Sequence, residues 1–204
     1  MALRGLYAVT PDEADTARLV TLVEAALAGG MRILQYRNKV AAPDLRREQA
    51  RALKRACDPH GALLIINDHA DLAHEVDAAG VHIGAEDGEL AAARAMVGKD
   101  KIVGVSCYRR IEVAREAEAH GADYVAFGSF YPSTVKPGAV RAPLDLLAEA
   151  KRAVRIPVVA IGGITIANAP PLIGAGADAV AVITAVFGAS DVTAAARGFT
   201  GLFL

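Results

Sequence analysis

Residues 174–184 read GAGADAVAVIT, a turn with two glycines followed by a run of small and β-branched apolar residues. The turn recurs in the chain, because residues 119–125 read AHGADYV and residues 78–83 read AAGVHI as a shorter version. Glycine at such a position can end a helix in the left-handed conformation just before the next strand. The repeat therefore indicates that helices and strands alternate along the chain.

Short apolar runs recur with Ala-rich segments of helical periodicity between them. The predicted strands are residues 5–10, 32–37, 62–67, 80–84, 101–106, 123–128, 157–163 and 178–184. They lack strict alternation, which is typical of parallel strands buried on both faces. Eight such βα units in a chain of 204 residues predict an α/β fold, a single (β/α)8 TIM barrel spanning residues 1–204. The alternative is a doubly wound open sheet, but the G-x-G-x-x-G turn that often follows its first strand is missing.

The composition fits one globular domain, since 53% of the residues are hydrophobic. Lys and Arg number 22 against 23 Asp and Glu, so the net charge of −1 offers no general attraction to nucleic acid. The sequence shows neither an apolar run of membrane-spanning length nor a secretory signal, and we expect a cytoplasmic protein without membrane contact. Cys57 and Cys107 form neither a disulfide framework nor a zinc motif. Whether the chain forms a homo-oligomer is left open.

Three long polar side chains follow the apolar start of the second predicted strand. Gln35, Arg37 and Lys39 occupy alternate positions, and alternate side chains of a strand point the same way. In a (β/α)8 barrel the active site lies at the C-terminal ends of the strands. We therefore expect an inward face that is apolar at its base and charged at its mouth.

Two anion sites are predicted around that mouth. Gly162-Gly163 and Ile183-Thr184 end the seventh and eighth strands, the usual phosphate site of such barrels; the alternative is a pair of tight turns. Elsewhere, Arg37, Lys39 and Lys136 supply positive charge and Asp68 and Asp87 supply oxygen ligands, which suggests Mg²⁺ bridging the protein to a polyphosphate. The alternative is a structural network of ion pairs, and spacing alone does not choose between the two.

Six motifs that occur in order over nearly the whole chain favour the polyphosphate site over the network of ion pairs. They are Q-x-R-x-K at residues 35–39, N-D at 67–68, H-I-G-x-E-D at 82–87, G-V-S at 104–106, Y-P-S/T-x-x-K at 131–136 and G-G-I at 162–164. In this order they closely resemble the thiamine-phosphate synthase family. Three positions depart from the family pattern: Ala85, Tyr108 and Val135.

The resemblance implies a role for each matched position. Gln35 would hold a pyrimidine and Arg37 and Lys39 its diphosphate. Further contacts to this substrate would come from Asn67, Ser106 and Lys136, and the thiazole phosphate would be bound by Gly163, Ile183 and Thr184. The implied metal ligands for Mg²⁺ are Asp68 and Asp87, and the implied catalytic residues are Arg37, Lys39, Ser106 and Lys136. The full implied substrate-binding set is Gln35, Tyr36, Arg37, Asn38, Lys39, Asn67, Ser106, Ser133, Thr134, Val135, Lys136, Gly163, Ile183 and Thr184.

The expected reaction joins a pyrimidine diphosphate to a thiazole phosphate with loss of pyrophosphate. It needs charge stabilisation and alignment more than acid–base groups, which agrees with a site rich in cations. The alternatives are a thiazole tautomerase-like barrel and a catalytically inactive barrel that binds a metabolite. The N-D and E-D carboxylates argue against the first, and the complete set of charged positions argues against the second.

Overall fold

A computed structural model of the chain describes residues 3–84, 89–133, 138 and 140–204. Within them, parallel strands pair in chain order and close into a barrel, because β1 also pairs with β8. The strands are β1 (Gly5–Val9), β2 (Ile33–Tyr36), β3 (Leu63–Asn67), β4 (Gly80–Ile83), β5 (Ile102–Tyr108), β6 (Tyr124–Gly128), β7 (Val158–Ile161) and β8 (Ala179–Val182). This closure confirms the predicted (β/α)8 barrel and excludes the open sheet.

Helices follow the strands around the outside of the barrel. They are α1 (Thr16–Ala28), α2 (Pro43–Cys57), α3 (Ala70–Glu75), α4 (Glu89–Val97), α5 (Ile111–Ala119), α6 (Asp145–Ala153), α7 (Ala169–Gly174), α8 (Thr184–Phe187) and α9 (Val192–Gly201), with a 3-10 turn at Asp58–His60. The carboxylate of Asp15 caps α1 by accepting from the backbone N–H groups of Ala17 and Arg18. No helix in the described part of the chain is both long and apolar enough to cross a membrane.

The barrel separates two apolar cores. The larger one fills the space between strands and helices, where Leu19, Leu53 and Phe199 are fully buried. The smaller one fills the barrel itself and includes Ile33 and Val159. Because side chains alternate between the two sides of each strand, both cores are built from the same short sequence runs. The inner core also holds the hydroxyl groups of Tyr7 and Tyr124, which are hydrogen-bonded to each other.

The repeated GAD turn has the same structure at both places. Gly121 and Gly176 have positive φ angles of 90° and 112°, as expected for left-handed helix ends. The following aspartates do similar work: Asp123 accepts a hydrogen bond from the backbone N–H of Val103, and Asp178 accepts one from Val158. Each turn thus ties the start of its own strand to the start of the preceding strand.

Strand ends differ from the predicted ones near the site. β5 continues to Tyr108 through a register shift between Ser106 and Tyr108. β7 ends at Ile161, two residues before the predicted end, because the glycine pair that follows has positive φ angles. β8 ends at Val182, and Thr184 already begins α8.

Candidate active site

A cavity of about 720 Å³ opens at the C-terminal ends of the strands. Its size suits the binding of small organic molecules. The predicted site residues that line it, among those the structure describes, are Gln35, Arg37, Lys39, Asn67, Asp68, Ser106, Ser133, Gly163, Ile183 and Thr184. Residues distant in sequence therefore meet in one cavity, because parallel strands place their C-terminal ends on the same side of the barrel.

The β2 end of this cavity has the alternation that the sequence predicts. Gln35, Arg37 and Lys39 all line the cavity. Gln35 is buried, the Arg37 side chain is 15% exposed, and Lys39 is exposed. Polarity and exposure thus increase together from the barrel interior to the mouth.

The segment after β2 is fixed by two residues that the sequence reasoning missed. The Thr10 hydroxyl donates to the carbonyl of Arg37 at 2.9 Å and accepts from its N–H at 2.8 Å. Asp12 accepts from the backbone N–H of Lys39 at 2.8 Å, and its carboxylate lies 3.7 Å from the Arg37 guanidinium. The loop after β1 therefore fixes the backbone of Arg37 and Lys39, and Asp12 also pairs with the Arg37 guanidinium. The partner of Arg37 among the described carboxylates is Asp12, not Asp68 as in the alternative network.

Tyr36 and Asn38 are not brought to the large cavity. The Tyr36 hydroxyl donates to Gln49 Oε1 at 2.7 Å, and the Asn38 amide donates to the same atom and to the carbonyl of Glu13. Both residues border a smaller pocket of about 180 Å³ that faces α2. The reason is strand alternation, since positions 36 and 38 point away from positions 35, 37 and 39. Their side chains support the β2 loop and do not line the large cavity, and a role of these two residues in substrate binding stays a prediction.

The tip of β3 brings an amide and a carboxylate to the cavity. Asn67 and Asp68 border both the large cavity and the smaller pocket. Asp68 has a left-handed φ of 63° and donates its N–H to the carbonyl of His82 at 2.8 Å. Among the described residues, no side chain forms an ion pair with the exposed Asp68 carboxylate. Its oxygens are therefore oriented by the backbone and open to a cation.

Ser106 on β5 is held by a buried histidine. The Ser106 hydroxyl lies 2.8 Å from Nε2 of His82, whose Nδ1 lies 2.8 Å from the Tyr124 hydroxyl. Burial lowers the pKa of His82 to about 4, against a smaller opposing effect of the Asp68 charge. His82 is therefore neutral near pH 7, as expected for a packed strand residue. Cys107 is buried as well, and burial raises the pKa of its thiol to about 12, which leaves it a poor nucleophile.

The loop after β6 and the turn after β7 are joined backbone to backbone. Tyr131 donates its N–H to the carbonyl of Gly162 at 3.0 Å, and Asn168 donates its side-chain amide to the carbonyl of Gly163. A Cβ at Gly163 would overlap the carbonyl oxygen of Pro132. The sequence predicts that Gly163 is small so that an anion can approach. The structure adds a second reason, because a Cβ there would also meet the backbone of the β6 loop.

Several predicted residues lie outside the described residues. They are Asp87 with its neighbours Ala85 and Glu86, and Thr134, Val135 and Lys136. Among the described residues there is no cluster of three or more His, Cys, Asp or Glu side chains that could hold a metal. A site formed by Asp68 and Asp87 is not tested by this finding, because Asp87 is not among those residues.

The chain matches the family described as thiamine monophosphate synthase over residues 6–186. The chain belongs to this family. The thiamine-phosphate synthase of Nitrosospira multiformis is 53% identical over 201 residues, which cover 98% of this chain and 86% of that protein. The thiamine-phosphate synthase of Methylobacillus flagellatus is 55% identical over 201 residues, covering 98% and 96%. Membership in the thiamine-phosphate synthase family makes the chain a transferase of thiamine biosynthesis.

Solved structures agree with this assignment. A thiamine phosphate pyrophosphorylase from Pyrococcus furiosus superposes with a TM-score of 0.87 at 36% identity, covering 98% of this chain and 95% of that one. A 3-hexulose-6-phosphate synthase has a TM-score of 0.73 at 22% identity, covering 98% and 100%, and this likeness shows the shared barrel alone.

Proposed function

We propose that the chain couples 4-amino-5-hydroxymethyl-2-methylpyrimidine diphosphate with hydroxyethylthiazole phosphate to give thiamine phosphate and pyrophosphate. The observation that carries the proposal is the shared cavity of about 720 Å³. Arg37, Lys39 and Asn67 border it on the β2–β3 side, and Gly163 and Thr184 border it on the β7–β8 side. Two phosphorylated substrates can thus enter one cavity with their anionic groups held apart.

The pyrimidine would lie against Gln35 and Ser106, two neutral polar groups that line the cavity. Its diphosphate would then point to the mouth, where Arg37 and Lys39 are already held by Thr10 and Asp12. Because the backbone of both residues is already fixed, their charges can stabilise the negative charge that develops on the leaving pyrophosphate. The thiazole phosphate would be bound by Gly163, Ile183 and Thr184, as the family resemblance implies.

The reaction breaks the bond between the pyrimidine CH₂ and the diphosphate oxygen, and the bonding electrons leave with pyrophosphate. The aminopyrimidine ring donates electron density to the CH₂, and the thiazole nitrogen then supplies the pair that forms the new C–N bond. No side chain has to remove a proton. The protein instead aligns the CH₂ carbon with the thiazole nitrogen and neutralises pyrophosphate. It also excludes water, which would otherwise attack the pyrimidine CH₂ cation and give an alcohol.

Asp68 fits the proposed role of Mg²⁺ ligand. Its carboxylate lines the cavity without an ion-pair partner among the described residues, and the left-handed backbone and the bond to His82 fix its position. Mg²⁺ commonly takes one or two carboxylates together with phosphate oxygens and water. When bound, the ion would add positive charge next to the diphosphate. Asp87 would be the second ligand and Lys136 a further cation on pyrophosphate, both carried over from the family pattern.

A direct assay tests this function. Purified protein is incubated with both substrates, and thiamine phosphate and pyrophosphate are quantified with Mg²⁺ present and after EDTA treatment. We expect equal amounts of the two products, dependent on both substrates and on the ion. Isomerisation of a thiazole phosphate without coupling would favour the tautomerase-like function, and tight substrate binding without products would favour an inactive barrel.

An Asp68→Asn variant tests the metal role separately. The variant keeps the size of the side chain but loses its charge, so a higher Mg²⁺ concentration should be needed for half-maximal activity. An unchanged Mg²⁺ dependence would contradict the assignment of Asp68 as a ligand.

A further inference from the structure

A chain of hydrogen-bonded side chains runs through the upper interior of the barrel. Gln35 Nε2 lies 2.9 Å from the Tyr7 hydroxyl, which lies 2.6 Å from the Tyr124 hydroxyl. The Tyr124 hydroxyl lies 2.8 Å from His82 Nδ1, and His82 Nε2 lies 2.8 Å from the Ser106 hydroxyl. The chain therefore links the two residues to which the proposed function assigns the pyrimidine.

The middle of this chain has no contact with the cavity. Gln35, Tyr7, His82 and Ser106 line it, whereas Tyr124 does not and is fully buried. Tyr124 packs edge-on against the ring of Tyr7 and stacks against His82. Any effect of the Tyr124 hydroxyl on a bound substrate must consequently pass through its neighbours.

The donor and acceptor roles of the five side chains depend on one another, because each shared proton can belong to only one partner. The Gln35 amide donates to the Tyr7 oxygen. Among the hydrogen bonds of the described residues, the Tyr7 hydroxyl can then donate only to the Tyr124 oxygen. Tyr124 then donates to Nδ1 of His82, and the Nε2–H of the neutral imidazole donates to Ser106. The Ser106 proton is left to point into the cavity. Reversing one of the bonds between Tyr7 and Ser106 would reverse the others, and the Tyr7 proton would then turn to the cavity or to a rotated Gln35 amide.

The Tyr124 side chain occupies space that only a glycine on the neighbouring strand leaves free. A Cβ at Gly104 on β5 would overlap the ring and hydroxyl of Tyr124, so a glycine is needed opposite that side chain. A barrel interior can be filled by apolar side chains that need no partners. Burying two phenols and an imidazole instead costs desolvation, which hydrogen bonds must offset. A purely structural role leaves unexplained why both ends of the chain open onto the cavity.

We propose that Tyr124, through Tyr7 and His82, is a positioning residue that fixes the hydrogen-bonding roles of Gln35 and Ser106 toward the substrate. The inference rests on the proposed function. Ser106 presents a donor to the cavity, and Gln35 keeps its amide oxygen as an acceptor. An aminopyrimidine suits this pair, because its ring nitrogens accept and its amino group donates. The buried chain thus selects for an aminopyrimidine by the combined pattern at two separate contacts.

Tyr124→Phe is the sharpest test, because it removes one oxygen without changing the cavity wall. We expect kcat/KM for the pyrimidine diphosphate to fall about 5- to 10-fold, the effect of about one hydrogen bond. The KM for the thiazole phosphate should stay within about twofold. If the effect passes through Ser106, adding Tyr124→Phe to Ser106→Ala should lower kcat/KM little further.

Thr193→Val is the control for loss of a half-buried hydrogen bond elsewhere. Thr193 donates to the carbonyl of Ala25 at 2.9 Å between α9 and α1, on the outside of the barrel. We expect both KM values of this variant to match those of the unmodified protein. Should Tyr124→Phe fail to fold, Tyr7→Phe interrupts the chain at the adjacent link and is measured in the same way.

The outcomes separate the inference from the proposed function. If Ser106→Ala lowers kcat/KM for the pyrimidine diphosphate but Tyr124→Phe does not, the positioning role is overturned. It is also overturned if the effect of Tyr124→Phe multiplies fully both with that of Ser106→Ala and with that of Gln35→Ala in the two double variants. Equal rises in both KM values would also overturn it, because they indicate general damage. If Ser106→Ala leaves the pyrimidine kinetics unchanged, the assignment of Ser106 in the proposed function falls, and the positioning role falls with it.

Discussion

The buried His82 makes the stability of this protein depend on pH in a specific range. Burial lowers its pKa from 6.5 to about 4 in the folded protein. Below pH 6.5 the unfolded chain binds a proton at this residue that the folded chain does not. The free energy of unfolding therefore falls as the pH drops from about 6.5 to about 4, and the contribution of His82 is fully present only above that range.

The size of the effect follows from the two pKa values. Between about pH 7.5 and about pH 4.5, linkage gives a loss of about 2.5 kcal/mol from this single group. That is a large share of the stability of a typical domain, about 5–15 kcal/mol. Protonation is unfavourable in the folded protein because a proton on His82 Nδ1 would face the Tyr124 hydroxyl and disrupt the hydrogen bond that this hydroxyl donates.

Urea unfolding of the unmodified protein and of His82→Gln measures the effect. The variant lacks the titrating group and keeps a neutral polar side chain, so it should be less stable near pH 7.5. Its free energy of unfolding should decline less on acidification, and the difference between the two proteins should shrink by about 2.5 kcal/mol by about pH 4.5. Parallel declines would refute the reasoning, because they would mean that His82 has the same pKa in the folded and unfolded chain.

Three further predictions concern the site. Gly163→Ala should displace Pro132 and, because residue 163 has a positive φ, lower the free energy of unfolding by about 1–3 kcal/mol. It should also raise the KM for the thiazole phosphate more than the KM for the pyrimidine diphosphate, which steady-state kinetics with each substrate varied will measure. Thr10→Val should remove both hydrogen bonds to the Arg37 backbone and raise the KM for the pyrimidine diphosphate about fivefold, with the thiazole KM as the internal control. Cys107 should react with a thiol reagent only after urea unfolding, and rapid reaction in the native protein would contradict its burial.

The fold could be predicted because its signals are local. Each strand is a short apolar run, each helix has its own periodicity, and the GAD turn marks the passage between them. Position alternation also predicted that Gln35, Arg37 and Lys39 share one face. The same rule, applied fully, would have turned Tyr36 and Asn38 away from the cavity. The binding set that the family resemblance implies includes these two residues, which alternate with residues whose side chains face the cavity.

The contacts that hold the site could not be predicted in this way, because they join residues far apart in sequence. Thr10 and Arg37 are 27 residues apart, and Tyr7 and Tyr124 are 117 apart. Neither tyrosine belongs to one of the six family motifs, and from sequence each resembles an ordinary aromatic core residue. Only the closed barrel, which brings β1 and β6 to face each other across the interior, makes their hydroxyls adjacent.

One sequence signal nevertheless indicates this row of hydrogen-bonded side chains inside the barrel. Gly104 interrupts an apolar strand at a place without a turn, and a glycine inside a strand indicates close approach of another group. In the structure that group is the Tyr124 side chain. Gly104→Ala should therefore act on the site from within the barrel: the added methyl group displaces Tyr124, separates it from His82, and should lower kcat/KM for the pyrimidine diphosphate at least as much as Tyr124→Phe does. A loss confined to stability, with normal kinetics in the folded fraction, would show that the glycine serves packing alone.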